Sequence, residues 1–204
     1  MTADQIEAMS RRKSPKPAAA SPQSGSTVAL RRALTGRRKA ELVEIVLQLA
    51  QADRGTLRRI TARLDVAASA GELVAGTRQA IADATAFDPR DINRNFRYDY
   101  EAYGEVKRNL ARLIAVGELR LAMQLALELM RHGSHQVEMS DEGMMTADIE
   151  ECLREVLHAV EVSDLPVGEV TAWCSAMLAS DRVGFIARQP LEALRHRFSM
   201  AAGE

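Results

Sequence analysis

Apolar residues recur at helical spacing along most of this 204-residue chain, and this periodicity constrains its fold more than any other feature. Leu42, Ile45, Val46 and Leu49 follow an i, i+3, i+4, i+7 order, which places side chains on one face of an α-helix. Alternating runs of β-branched and aromatic residues, typical of strands, are missing from the sequence. Aromatic residues make up only 4% of the chain. The sequence therefore predicts an all-α protein.

The pattern predicts about eight helices joined by short turns. Asp53 is expected to cap the helix that carries Leu57. Gly117 interrupts one stripe of apolar residues, and the next helix is expected to end at His132-Gly133 because glycine suits the left-handed position after a helix. Consecutive helices with short connections predict stacked antiparallel helical hairpins, arranged as an α-solenoid or a compact bundle.

Composition divides the chain into parts. Residues 1–26 combine prolines, small residues and charges with little to bury, so a disordered basic tail is expected, with Met9 as an alternative translation start. Helical hairpins are predicted over residues 27–86 and a helical bundle over residues 96–202. Pro89 cannot continue a helix, and residues 87–95 are expected to form a connecting loop. One core or two cores would both fit this division.

The charges are distributed unevenly. Residues 1–64 carry 13 Lys and Arg against 5 Asp and Glu, whereas the rest of the chain carries 14 against 23. A basic front end on an acidic body can meet an anionic partner, although charged helix faces also simply keep a protein in solution. The candidate partner or phosphate contacts are Arg31, Arg32, Arg37, Arg38, Lys39, Arg58, Arg59 and Arg63.

Two further segments carry side chains of the types that bind nucleic acid or metal ions. Residues 93–103 interleave arginine with aromatic rings, a composition that single-stranded nucleic acid binders use, but core packing at a junction is the favoured interpretation. His132, His135, Asp141 and Glu142 are metal-ligand types within ten residues, and loop and capping roles are favoured there over metal binding. No metal or other cofactor is therefore expected.

The cysteines and the lengths of the apolar runs indicate in which cellular compartment the protein resides. Cys152 and Cys174 stand apart at helical positions, which favours two buried thiols in a reducing compartment. No apolar run approaches the roughly 18 residues of a membrane span. The first 13 residues lack the apolar core of a signal peptide. We therefore expect a cytoplasmic protein that does not enter a membrane.

Residues 96–153 resemble the helical region of uncharacterised bacterial proteins that accompany SWIM-type zinc fingers. The resemblance begins with an aromatic-Arg-Tyr segment that opens a helix pair and ends with an acidic loop and a further helix. It rests on Phe96 to Tyr100, Tyr103, Val106, Leu110, Leu113, Gly117, Ala122, Leu125, Leu129, Ser140 to Gly143, and Leu153. The zinc finger itself needs a Cys-x-Cys pair with a further Cys and His, which two separated cysteines cannot supply. The resemblance thus implies an all-helical scaffold without the finger.

Familiar catalytic motifs are missing from the sequence, including the nucleophile elbow, the phosphate-binding loop and the zinc-protease helix. His158 lies six residues after Cys152 and on another face of the helix, which disfavours a nucleophile pair. We therefore expect a non-catalytic helical scaffold or protein–protein interaction module. The alternative is a nucleic-acid-associated accessory protein that binds through the basic tail and the first helical hairpin.

Overall fold

A computed structural model describes residues 22–64 and 67–201, and it confirms the all-α class. Within these ranges the chain forms helices and turns but no strand. A π-helical turn, Arg90–Arg94, lies in the predicted connecting loop. None of the described helices has the length and apolar composition needed to cross a membrane. The α-helices are α1 Pro22–Thr35, α2 Lys39–Ala52, α3 Arg54–Leu64, α4 Ala70–Ala84, α5 Tyr100–Ala115, α6 Leu119–Met139, α7 Thr146–Glu161, α8 Val167–Ser180 and α9 Arg188–Ala201.

Most of the predicted tail, residues 1–21, lies outside the described residues. The first described helix, α1, begins at Pro22. Proline is well suited to a first helical turn, where its missing N–H leaves no hydrogen bond unmade.

The chain divides into two compact units, residues 1–51 and residues 52–204. In the first unit, α1 and α2 follow one another through a turn at Gly36, but they do not pack along their lengths. The second unit holds α3 to α9. There α4 packs extensively against α5, so α4 shares a core with the helices that follow residues 87–95.

The core of the second unit is built around α5, α6 and α7. α5 lies against α4 and α7, and α6 contacts α4, α7 and α8, while α9 packs mainly on α8. The Nε1 of Trp173 donates a hydrogen bond to the Met123 carbonyl over 2.9 Å, which joins α8 to α6. The largest fully buried side chains are Tyr103, Leu110, Leu113, Leu125, Leu129, Met130, Met145, Ile149, Leu153, Met177, Ile186 and Leu191.

Local sequence signals explain several helix ends. The Asp53 carboxylate accepts a hydrogen bond from the Thr56 amide, as expected of a cap for α3. Ser69 and Glu72 form a reciprocal capping box at the start of α4. Gly117 has a φ of 85°, a left-handed conformation that favours glycine, and it separates α5 from α6 as predicted.

The predicted end of the helix at His132-Gly133 is wrong, because α6 continues to Met139. Gly133 is buried within α6 rather than placed after its end. A Cβ atom on Gly133 would come within 2.8 Å of the Ile149 Cδ1 atom. The glycine therefore serves the close approach of α7 to α6, a role that local sequence does not distinguish from a helix stop.

Adding a methyl group at Gly133 tests this role. We expect Gly133→Ala to lower the free energy of unfolding by about 1 kcal/mol, because crowding of roughly 2 kcal/mol outweighs a helix-propensity gain of about 1 kcal/mol. Gly76→Ala in α4 is the matched control. Its new Cβ meets no atom closer than 3.7 Å, so it should raise stability by up to about 1 kcal/mol. Urea denaturation measures both, and equal effects of the same sign would contradict the packing role.

Candidate protein-binding surface

The most unusual surface of the described chain is α2, whose large aliphatic side chains face solvent. Leu49 is 56% exposed, and Val43 and Leu47 are each 47% exposed. Ile45 and Val46 on the same helix are also more than one third exposed. In α7, by contrast, the corresponding apolar residues are fully buried. We call these five residues of α2, Val43, Ile45, Val46, Leu47 and Leu49, the α2 apolar surface.

The apolar arc of α2 is wide. At 3.6 residues per turn, the apolar residues between positions 42 and 51 cover an arc of roughly 200°. Only Glu44, Gln48 and Gln51 occupy the remainder of that stretch. Helices on the surface of a globular protein usually bury an apolar stripe of about 100° or more against neighbours. In the described structure the five large aliphatic side chains of this arc face solvent, whereas Leu42 is half-buried and Ala50 is buried.

Five of the predicted basic contacts precede this surface in the chain. Arg31, Arg32, Arg37, Arg38 and Lys39 occupy the end of α1, the following turn and the start of α2, and all five are exposed. Glu41 approaches both Arg37 and Arg38, with nitrogen–oxygen distances of 3.6 Å. These five cations therefore lie within the nine residues of chain that lead into α2.

Arg58 does not belong to that group, and its prediction as an exposed contact is wrong. Its side chain is only 8% exposed, and it forms ion pairs with three carboxylates of the second unit. It contacts Asp83 of α4, Asp99 at 2.6 Å and Glu105 of α5 at 2.7 Å. A guanidinium with five donors in a rigid fork can serve several carboxylates at once. Arg58 therefore anchors α3 to α4 and α5 rather than meeting a phosphate.

Burial and neighbouring charges together determine the ionisation of the Arg58 cluster, which consists of Arg58, Asp83, Asp99 and Glu105. Burial acts to lower the pKa of Arg58, but the hydrogen bond to Asp99 and the three nearby negative charges raise that pKa overall. Burial raises the pKa of Glu105 above its usual range, and the charge of Arg58 partly opposes this rise. The cation therefore stays charged and keeps its neighbouring acids in place.

The two remaining predicted contacts lie on the same helix as Arg58. Arg59 is exposed and pairs with Glu101 at 3.5 Å and with Asp53 at 3.8 Å. Arg63 is exposed in the last turn of α3. Because acidic side chains surround Arg58 and Arg59, this part of the basic front end is a poor surface for a polyanion.

Two of the four aromatic residues in the segment 93–103 contribute to packing. Tyr103 is buried, and its ring meets that of Tyr98 edge-on with centroids 6.1 Å apart. The Tyr98 hydroxyl donates to Asp148 over 2.5 Å. Burial is the main reason that the pKa of Tyr98 is raised to about 12. Phe96 and Tyr100 are exposed, and Phe96 has a left-handed φ of 53°.

A buried glutamine connects this segment to two other helices. Gln136 of α6 accepts a hydrogen bond from the Tyr103 hydroxyl over 2.6 Å. Its side-chain amide donates to the carbonyls of Ala84 and Ala86 at 2.9 and 3.1 Å. These bonds satisfy the end of α4, where carbonyls lack helical partners. This contact could not be predicted from the sequence, because an isolated glutamine on a helix is usually exposed.

The histidine–acid group is split between a helix and a loop. His132 and His135 lie in α6, whereas Asp141 and Glu142 follow its end. The Nδ1 atom of His135 lies 3.4 Å from the Oε2 atom of Glu138 and 3.0 Å from the Nη1 atom of Arg182. Across the described residues, no three His, Cys, Asp or Glu side chains converge as metal ligands.

Both cysteines are buried and unpaired. Burial is the main cause that raises the pKa of Cys152 to about 12, with the nearby acids Asp148 and Glu151 adding to it. Burial likewise raises the pKa of Cys174 to about 11. Thiols with such pKa values remain protonated near neutral pH and are weak nucleophiles.

A groove of about 780 Å³ lies between α7 and the start of α9. Glu150 accepts a hydrogen bond from the Ala187 amide over 3.1 Å and supports the left-handed backbone there, with a φ of 49°. Glu161 pairs with Arg197 and holds α9 on α7. These two acids therefore have structural partners at the junction of the helices.

Comparison of the chain with models of known protein families, with curated proteins and with solved structures gave no match.

Proposed function

We propose that this protein is a non-catalytic interaction module that binds another polypeptide through the α2 apolar surface. The observation that carries the proposal is the exposure of five large aliphatic side chains on one 14-residue helix. Covering a Val, Leu or Ile side chain completely gains roughly 1.5–3 kcal/mol. Covering these five half-exposed side chains would gain about 4 kcal/mol in total. An amphipathic helix in an apolar groove, or a groove formed around such a helix, uses this kind of surface.

The buried cysteines support a cytoplasmic location for this module. Both thiols are free in the structure, and free buried thiols are typical of proteins kept in a reducing compartment.

A double substitution on α2 tests the binding surface. We expect Val46→Gln with Leu49→Gln to abolish capture of a protein partner from lysate, because the apolar contact is lost. Far-UV circular dichroism should remain unchanged, since both side chains face solvent. Capture by the unsubstituted chain should survive nuclease treatment and moderate salt. Val162→Gln is the matched control, because it removes an apolar side chain that is 71% exposed elsewhere.

A nucleic-acid-associated role is the second candidate, and the five exposed cations from Arg31 to Lys39 favour it. Contacts with phosphates weaken steeply with salt, by a log–log slope of about 0.9 per phosphate on duplex DNA. Capture that nuclease abolishes, and that the α2 double substitution leaves unchanged, would replace the first proposal with this one.

A further inference from the structure

The helix α3 of the second unit buries a charged side chain in place of apolar ones. Arg58 is the one buried residue of α3, whereas α4 to α8 each bury several apolar side chains. Leu57 and Leu64 are 48% and 67% exposed, and Ile60 is half-buried. No side chain of α3 belongs to the apolar core that the structure describes. Because little apolar area of α3 is removed from water, the hydrophobic effect contributes little to holding this helix.

Ion pairs attach α3 to its neighbours instead. The Arg58 cluster joins α3 to α4 and α5. Next to it, the Nη1 atom of Arg54 lies 2.9 Å from Oδ1 of Asp83, and the Nη1 atom of Arg59 lies 3.5 Å from Oε1 of Glu101. The side chains of Arg54 and Arg59 are 67% and 64% exposed, so solvent screens their pairs and each adds little. The Arg58 cluster is therefore the main attachment of α3 in the described structure.

We infer that α3 is a releasable segment, which detaches from the second unit and loses its helical structure while the core formed by α4 to α9 stays folded. An isolated helix of 11 residues is too short to be stable in water, so the release and the unfolding of α3 occur together. The helix begins two residues after the end of α2. Its release therefore converts a helical connection between α2 and α4 into flexible chain. The release of α3 is independent of what α2 binds, and so goes beyond the proposed function.

The expected opening of α3 differs from that of the core in frequency. Because α5 lies within the apolar core, its amides become accessible only when the whole core unfolds. The unfolded fraction of a small domain is about 10⁻³ to 10⁻⁸. Removing one partner of a buried ion pair weakens the folded arrangement by roughly 100- to 1,000-fold. A helix held mainly by one such cluster should therefore be released in about one molecule in 100 to 1,000.

Hydrogen–deuterium exchange of the full chain, followed by mass spectrometry of peptic fragments, tests the inference. In the unsubstituted chain, the amides of α3 should be protected at least about tenfold less than those of α5. In Arg58→Met, the exchange of α3 should become about 100-fold faster and approach the rate of unprotected amides. The amides of α5 should stay protected in the same variant, because the core remains folded. Arg63→Met is the matched control, since Arg63 is exposed and its replacement should change the exchange of α3 by less than about threefold.

Asp99→Asn tests whether charge holds α3. Asparagine caps a helix as well as aspartate does, so α5 should keep its N-cap. The substitution removes the carboxylate charge that faces Arg58 over 2.6 Å. Since a charge-assisted hydrogen bond is roughly twice as strong as a neutral one, we expect α3 to exchange about tenfold faster in this variant.

Three results would overturn the inference. Protection of α3 equal to that of α5 in the unsubstituted chain would show that α3 opens only together with the core. Exchange of α3 that is unchanged in Arg58→Met or in Asp99→Asn would show that charge does not hold the helix. Loss of protection in α5 together with α3 in Arg58→Met would show that the core does not stay folded without α3.

Discussion

Replacing Arg58 with methionine is expected to lower the free energy of unfolding by about 3 kcal/mol. The substitution keeps much of the aliphatic volume but leaves Asp83, Asp99 and Glu105 without their shared cation. Breaking a buried ion pair by removing one partner costs about 3–5 kcal/mol. The partial exposure of Asp99 places the expected loss at the lower end of that range. Urea denaturation of the full chain, followed by circular dichroism, measures it.

Arg63→Met on the same helix provides the control for Arg58→Met. Arg63 is exposed, so its replacement should change stability by less than about 0.5 kcal/mol. Arg58→Lys should recover only part of the loss, because one ammonium cannot reproduce the forked contacts of a guanidinium. Equal stability of the Arg58→Met and Arg63→Met variants would show that the cluster does not hold α3 in place.

Gln136→Leu is expected to lower the free energy of unfolding by about 3 kcal/mol as well. Leucine fills a similar space but removes the partner of the Tyr103 hydroxyl and of the Ala84 and Ala86 carbonyls. Each buried polar group that loses its partner costs about 1–3 kcal/mol. Relaxation of the end of α4 towards water should recover part of this cost. Thermal and urea denaturation measure the difference.

Gln124→Leu is the matched control on α6, since Gln124 is exposed. It should leave stability within about 0.5 kcal/mol of the unsubstituted chain. Adding Tyr103→Phe to Gln136→Leu should then cost less than the sum of the two single substitutions, because the hydroxyl no longer lacks a partner. Strict additivity would contradict a direct bond between these side chains.

The helices themselves were predictable, because periodicity and capping are local properties. Asp53 and Gly117 act as the sequence indicates, the first by capping α3 and the second by separating α5 from α6. Gly133 was not predictable in the same way. A glycine near the end of an apolar stripe suits a helix stop and a close helix contact equally well, and only the position of Ile149 on another helix decides between them.

The candidate site was harder to predict from the sequence, because the burial of a side chain depends on residues that are distant in the chain. Arg58, Arg59 and Arg63 look alike along the chain, yet Arg58 is buried among carboxylates from both α4 and α5, while Arg59 stays exposed beside Glu101 of α5. The α2 apolar surface shows the opposite case, because its apolar side chains are exposed rather than buried. Its spacing predicts a helix with an apolar face, but spacing does not reveal whether another element covers that face.

The single tryptophan of the chain gives the second unit a spectroscopic signal of its own. Trp173 is only 8% exposed and lies between α8 and α6, so its fluorescence reports the melting of the second unit. Far-UV ellipticity, by contrast, counts every helix, including α1 and α2. Followed together in one denaturation, ellipticity that falls before the emission shifts would show that α1 and α2 unfold as their own cooperative segment.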